Sequence, residues 1–457
     1  MKFIKLVFLT AILTACQNGV EFKSKLDQYG GWKAKKLTKT GFFHTEHDGD
    51  RWWFVTPDGN AFLSWGINHY HAGWWAQKYN REHWNKTFGA ENMQDEKWGQ
   101  GFREAAIKDL SRLGINTLGW HTDAPTLTDK PFGAVFPYLR SYKPIVLDHY
   151  RNPEAKEYLD VFAPEFKNRC KEEAQKAATD YINDPMLLGY CMSDCPIFTD
   201  KDIQFMGVTS WSRVLPNLGF EAPGKKVYVE LMQKRYSSIK DFNSTYNTNF
   251  SSWKELAKTE NWKENTVPKS DNEKVDNEAF TLLCVDKYYE VAKAELMAVD
   301  SNHLFLGDKL NGNTDNLEAA LEVAAKYVDV MVYQFYGTLE QQETLLNKLV
   351  PTVKVPFMNG DIGFSTPTEM MPNPHGPHAK DQTERAVWLK ESVNTCFARP
   401  EFIGWHMCGI IDTWKTMPTK EYAQHQGLMT VTGEFYPEME DAVRNIADNM
   451  YKIANTK

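Results

Sequence analysis

Cysteine is scarce in this 457-residue chain: there are seven, and no two stand in a Cys-x-x-Cys spacing. That argues against a structural zinc site and against a disulfide scaffold. Cys191 and Cys195, if they share one strand, stand about 13 Å apart, too far to bridge. Cys170, Cys284, Cys396 and Cys408 are scattered, so buried free thiols are expected. Positive charge is not in excess either: 52 Lys and Arg face 60 Asp and Glu, a net charge of -8. Such a chain offers no field for a phosphate backbone, and nucleic acid is excluded as a partner. Neither GxGxxG nor GxxxxGK[ST] is present, so no cofactor or nucleotide cradle is expected. Internal repeats and low-complexity tracts are absent too. What is abundant is aromatic surface, with 15 Trp, 20 Tyr and 26 Phe. Exposed aromatic faces are what sugar rings stack on, and this composition points to a carbohydrate ligand.

The first residues form an export signal: Lys2 and Lys5, an apolar run from Leu6 to Leu13, then Leu13-Thr14-Ala15-Cys16. The run is too short to span a bilayer as a mature helix, and nothing later is apolar enough to do so. It resembles a bacterial lipoprotein signal with its lipobox. The resemblance implies cleavage after residue 15, lipidation of Cys16, and a protein held to a membrane of the bacterial cell envelope, facing the periplasm or cell surface. Residues 16–40 are then expected to be a polar tether, and residues 41–457 one catalytic domain.

From Gly41 the chain reads as a β-hairpin, with turns at Asp48-Gly49-Asp50 and Pro57-Asp58-Gly59. Beyond it, apolar runs alternate with helix-period segments, which predicts βα units around a parallel sheet. The helical segments are Phe102 to Leu113, Ala155 to Tyr181, Val227 to Ser237, Phe280 to Val299, Leu317 to Val328, Glu340 to Leu349 and Glu384 to Phe397. Eight runs have strand character: Phe62 to Tyr70, Asn116 to His121, Val135 to Leu139 (with Tyr142 to Val146 serving as well), Leu187 to Met192, Leu304 to Leu310, Val328 to Phe335, Pro356 to Asp361, and Phe402 to Ile411. Eight is the number of a (β/α)8 TIM barrel. The longest interruption, about residues 198–275, follows strand four and is expected over the C-terminal mouth.

Polar residues gather at the C-terminal ends of these strands, on the rim where a barrel binds its substrate. Asn68, His69 and His71 follow the first, His121 and Asp123 the second, and Asp194 the fourth. Asp308 and Lys309 follow the fifth, Tyr333, Gln334 and Tyr336 the sixth, and Asp361 the seventh; Trp405, His406 and Asp412 belong to the eighth. His69, His71, His121 and Asp123 could in principle hold a metal, but no strict ligand spacing supports one, and none is expected. Glycoside hydrolysis needs two carboxyl groups, one to protonate the leaving oxygen and one to attack carbon or activate water. Asp194 and Asp361 fit that requirement. Asn68, His69, His71, His121, Asp123, Asp308, Lys309, Tyr333, Gln334, Trp405 and His406 are assigned to substrate binding, with Trp65, Trp74, Trp75, Trp120, Trp405 and Trp414 as candidate stacking platforms and His375 and His378 leaning over the mouth.

Asp184-Pro185-Met186-Leu187-Leu188-Gly189-Tyr190, running on to Asp194-Cys195-Pro196, is similar to the acid/base strand of clan A glycoside hydrolases, above all family 50 β-agarases and family 42 β-galactosidases. Further likeness lies in Arg51 to Asn68, in Tyr228 to Trp253, and in Gln426-Gly427-Leu428 through Tyr436. The resemblance implies a glycoside hydrolase acting on a galactose-containing polysaccharide or oligosaccharide of algal type. It also exposes a departure. Those families end strand four in Asn-Glu and strand seven in Glu, whereas here Asp194 falls on the Asn, Cys195 on the Glu, and Asp361 on the nucleophile. A thiol is a weak proton donor, so Asp194 is expected to take the acid role. The competing reading is a non-catalytic glycan-binding lipoprotein on a degenerate barrel. Because an aspartate is one methylene shorter than a glutamate, the pair is expected to stand far enough apart to admit water, and so to invert.

Overall fold

A computed structural model describes residues 25–148, 157–196, 198, 210–264, 267–313, 317–414 and 425–456. The signal, the lipobox and Cys16 lie outside the described residues.

Eight parallel strands close into a barrel: β5 (Ser64–Ile67), β6 (Thr117–Leu118), β7 (Tyr138–Ser141), β8 (Leu187–Asp194), β9 (Leu304–Asn311), β10 (Met331–Gln334), β11 (Phe357–Ile362) and β12 (Phe402–Met407), with β12 pairing back onto β5. The predicted (β/α)8 TIM barrel is therefore the observed architecture. The third strand overlaps the end of the first expected run, Val135 to Leu139, and stops before the alternative, Tyr142 to Val146. Pro137 has no N–H to give; its carbonyl accepts from Leu118, and the strand starts one residue later.

The N-terminal hairpin is larger than expected. Four antiparallel strands in the order β1-β4-β3-β2 form a separate sheet: β1 (Trp32–Lys36), β2 (His44–His47), β3 (Trp52–Val55) and β4 (Asn60–Phe62). This corrects the tether at its C-terminal end. Asp27 accepts from the backbone of Tyr29 and Gly31 and from the Thr56 hydroxyl, Trp32 stacks on Tyr451, and Tyr29 is buried, so the chain is anchored well before residue 40. The apolar run that begins near Phe62 serves two sheets. Its first residue ends β4, and Ser64 opens the barrel.

The stretch after β8 folds as helices, Trp211–Val214, Pro223–Arg235, Ile239–Tyr246 and Trp253–Lys258, before the 29-residue helix Asp271–Val299. Its aromatics pack on one another: Phe242 stacks on Tyr246 at 4.3 Å and touches Trp253 and Trp262. They form a small core of their own, which explains the aromatic richness there without a sugar. The helix Pro437–Ala454, which the expected segments omit, packs against Gln382–Ala398. All six cysteines among the described residues are buried free thiols. No helix among the described residues is long and apolar enough to cross a membrane.

Candidate active site

Side chains alternate across a strand, so the last residues of β8, β9 and β11 divide between the barrel axis and the helix layer. Lys309 and Asp194 are paired neighbours on β9 and β8, and both face the axis. Asp361 comes from β11, two strands further on. Lys309 Nζ lies 3.0 Å from Asp194 Oδ1 and 2.6 Å from Asp361 Oδ2, so those two oxygens are no more than 5.6 Å apart. One buried ammonium thus holds both carboxylates. The structure brings Asp194 and Asp361 together.

Burial works against the charge on Lys309, but the two carboxylates outweigh it and the group is held firmly as an ammonium. Burial likewise opposes the charge on Asp361, yet Lys309 and then His69 keep its carboxyl far below the usual range. Asp361 Oδ1 also accepts from the Tyr336 hydroxyl at 3.2 Å. His121 Nε2 is 2.9 Å from Asp194 Oδ2. Burial lowers the pKa of this imidazole to about 4, so at neutral pH it is an uncharged donor to the carboxylate. His69 stacks on His121 with ring centroids 4.7 Å apart, and its Nε2 stands 3.9 Å from Asp361.

Backbone strain is concentrated here. Five non-glycine residues among those described have positive φ, and three of them, His69, His121 and Cys195, at 56°, 59° and 52°, close β5, β6 and β8 at the site. Left-handed backbone is disfavoured for such side chains and persists where surrounding structure enforces it, commonly at functional sites. Cys195, on the position that carries the acid in the resembled families, is buried, and its burial pushes the thiol pKa up, away from any acid role.

Several expected substrate ligands have other work. Asn68 is fully buried; its Nδ2 donates to the Gly360 carbonyl and its Oδ1 accepts from the Trp120 N–H, which braces β5 against its neighbours. His71 is exposed and caps a short helix by accepting from Gly73 N. Asp123 accepts from Ala72 N. His71 and Asp123 therefore do not converge with His69 and His121 on a metal. Asp308 faces the helix layer, where Ser193 N and the Tyr288 hydroxyl donate to it. Tyr333 is fully buried against Gln342 on the outer side of the wall, and Gln334 is half-buried beside it. Trp405 is core. His406 lies on the barrel floor, its Nε2 2.8 Å from Ser64 Oγ, and burial lowers its pKa to about 3. Of the six tryptophans, Trp65, Trp75, Trp120 and Trp405 are buried; Trp74 and Trp414 remain partly exposed, against His425 and Tyr79. His375 does lean on Tyr336, while His378 ties its own loop through Pro374.

Two residues were missed. His425, next to the Gln426-Gly427-Leu428 motif, is buried with its ring centroid 5.7 Å from that of His69, and Cys408 sits beside Asp361 at the end of β12. The motif was visible, and the histidine preceding it was the available signal; nothing in the sequence marked Cys408.

With this geometry in view, the relatives can be placed. No family model matches the chain. It is 25% identical to β-agarase B of Vibrio sp. (strain JT0107) over 498 residues, covering 94% of this chain and 50% of that protein. The chain thus spans about half the length of this curated relative. The solved structure of PfGH50B superposes with a TM-score of 0.77 at 21% identity, covering 95% of this chain and 69% of that one. An exo-β-agarase gives 0.77 at 19% identity, covering 95% and 68%, and another agarase 0.74 at 19%, covering 95% and 69%. The fold is that of the family 50 agarases. These relatives bear out the resemblance to family 50 and do not bear on the likeness to family 42.

Proposed function

We propose that the protein is a glycoside hydrolase acting on an agar-type, galactose-containing polysaccharide or oligosaccharide, with Asp361 as nucleophile and Asp194 as proton donor. The observation that carries this is the pair of carboxylates joined through Lys309 at the C-terminal mouth of an agarase-type barrel. Nothing but the names of the relatives supplies the substrate. Asp361, held ionised by Lys309, attacks the anomeric carbon while Asp194 passes a proton to the departing sugar oxygen. Water then hydrolyses the glycosyl ester, with Asp194 acting as base. The close approach of the two nearest oxygens favours this retaining route over the inversion expected from side-chain length. Trp74 and Trp414 are the remaining stacking surfaces, and His69, His121 and Tyr336 line the reacting end. Reducing-end release from agarose and its oligosaccharides tests the reading: turnover abolished by Asp361→Asn supports it, and the absence of turnover on any galactan contradicts it.

One observation favours a second reading, a glycan-binding barrel without turnover. Cys195 stands where the resembled families carry the acid, and the ammonium that keeps Asp361 ionised also opposes the proton on Asp194. Affinity for agarose oligosaccharides without any reducing-end release separates it from the first.

The N-terminal sequence supports a lipoprotein of the bacterial cell envelope, cleaved after residue 15 and acylated on Cys16. Acyl chains contribute about 0.8 kcal/mol per buried methylene, so the wild-type protein partitions to membranes and Cys16→Ser releases it. A wild-type protein wholly in the soluble fraction contradicts this.

A further inference from the structure

The reacting carboxylate has soft neighbours that hydrolysis does not use. One donor atom each from His69, Asp361 and Cys408 lies within 4.8 Å of the others, on the ends of β5, β11 and β12. Imidazole, carboxylate and thiolate together are the donor set of a borderline divalent ion such as Zn2+, not of Mg2+ or Ca2+. A second observation points the same way. His425 is only 8% exposed, and its Nε2 is buried without a hydrogen-bond partner. That nitrogen lies 2.7 Å from where a Cβ would sit on Gly409, the residue after Cys408, and the ring neighbours that of His69. Buried polar atoms are normally satisfied, so an orphaned imidazole nitrogen on a ring next to His69 needs an explanation, although it stands outside the 4.8 Å cluster itself.

The geometry points to a Zn2+-type site in the barrel mouth, with His69, Asp361 and Cys408 as ligands and His425 as the fourth donor. Charge permits it. Asp361 and Lys309 cancel, and the thiolate that Cys408 becomes adds a negative charge that a divalent ion offsets. On binding, the Cys408 S–H bond breaks, the sulfur bonds the metal, and the proton leaves to solvent; no electron changes hands. Zinc bonds of about 2.0–2.3 Å require donors closer together than they now stand. His69, whose side chain is partly exposed, is the ligand that has to move inward. Occupancy takes Asp361 away from the sugar. The binding claim stands by itself; this consequence for turnover rests on the hydrolase reading.

Co2+ added to the reduced, full-length chain is the probe, because it reports thiolate ligation optically and needs no turnover. The expected result is a thiolate-to-cobalt band in the near ultraviolet that saturates at one equivalent and is displaced by Zn2+. Cys408→Ser and Cys408→Ala should both remove the band. Each should weaken Zn2+ binding by at least about 10–100-fold, the loss that even outer-sphere partners bring. His425→Gln should keep the band and weaken binding to a similar extent, while Cys195→Ser leaves both unchanged. No band with Co2+, a band that survives both Cys408 substitutions, or unchanged Zn2+ affinity without Cys408 overturns the site. If the band forms and galactans are not cleaved, the hydrolase reading falls and the metal site stands.

Discussion

The two faces of the barrel wall treat buried charge differently, and β9 shows it in consecutive residues. Lys309 points to the axis and meets carboxylates from β8 and β11. Asp308 points to the helix layer, where two neutral donors, Ser193 N and the Tyr288 hydroxyl, reach it. With no cation opposite, burial prevails and its pKa is pushed up to about 7, whereas Asp361, equally buried, is driven far down. On the axis, strands that are distant in sequence converge and charges can pair. In the wall behind it, Asp308 meets the backbone of β8 and the helix Asp271–Val299. Function follows the paired side, and the unpaired side becomes a pH-dependent element of stability.

The largest effect expected from breaking this contrast is that of Lys309→Met. Removing the cation strands two buried carboxylates and should destabilise the fold by about 3–5 kcal/mol. The sign with pH is fixed. Asp361 has a depressed pKa, so the stability it gains from Lys309 is present above the ordinary carboxylate pKa near 4 and fades as pH falls below it. Denaturant melts of wild type and variant should therefore diverge at neutral pH and converge in acid. Next comes Asp361→Asn, expected to lower turnover by at least ~10² with the melting transition retained. Asp194→Asn should do the same, and normal activity in either variant removes that residue from the mechanism.

Asp308→Asn sharpens the other half of the comparison. A carboxyl whose folded pKa is raised loses stability as pH rises from the ordinary value toward the folded one, so between about pH 5.5 and 7 Asp308 should contribute a fall of about 2 kcal/mol. Asn at that position should make the stability profile shallower over that range. It will not be flat, because Asp109 and Asp412 are also raised, to about 6, by burial. The smallest effect belongs to Tyr333→Phe. Loss of the Gln342 contact should cost about 1 kcal/mol in a melt and leave turnover unchanged, whereas a substrate-binding tyrosine would raise KM.

The barrel was legible because its strands are apolar and its helices amphipathic, and the positions of Asp194 and Asp361 followed from strand ends. Which way a rim residue faces was not legible. The register shifts in β8 between Cys191 and Asp194, and in β11 between Asn359 and Ile362, break the simple alternation from which facing could be counted. Counting by strand end alone groups Asp308 and Tyr333 with Lys309, and reads Lys309 as a sugar ligand instead of the link between the carboxylates. The start of the fold was hidden for another reason. β1 reads Trp-Lys-Ala-Lys-Lys, an edge strand whose charged residues look like a tether, and its pairing with β4 and the packing of Trp32 on Tyr451 show that it belongs to the fold.

The most direct test of a carboxylate that attacks carbon, beside a second that carries the proton, is the configuration of the first product. Proton NMR of an agarose oligosaccharide during the earliest turnover should show the new reducing end in the same anomeric configuration as the bond cleaved. The opposite anomer, formed before mutarotation, would mean that water and not Asp361 reaches the sugar, and would contradict the arrangement of the pair proposed here.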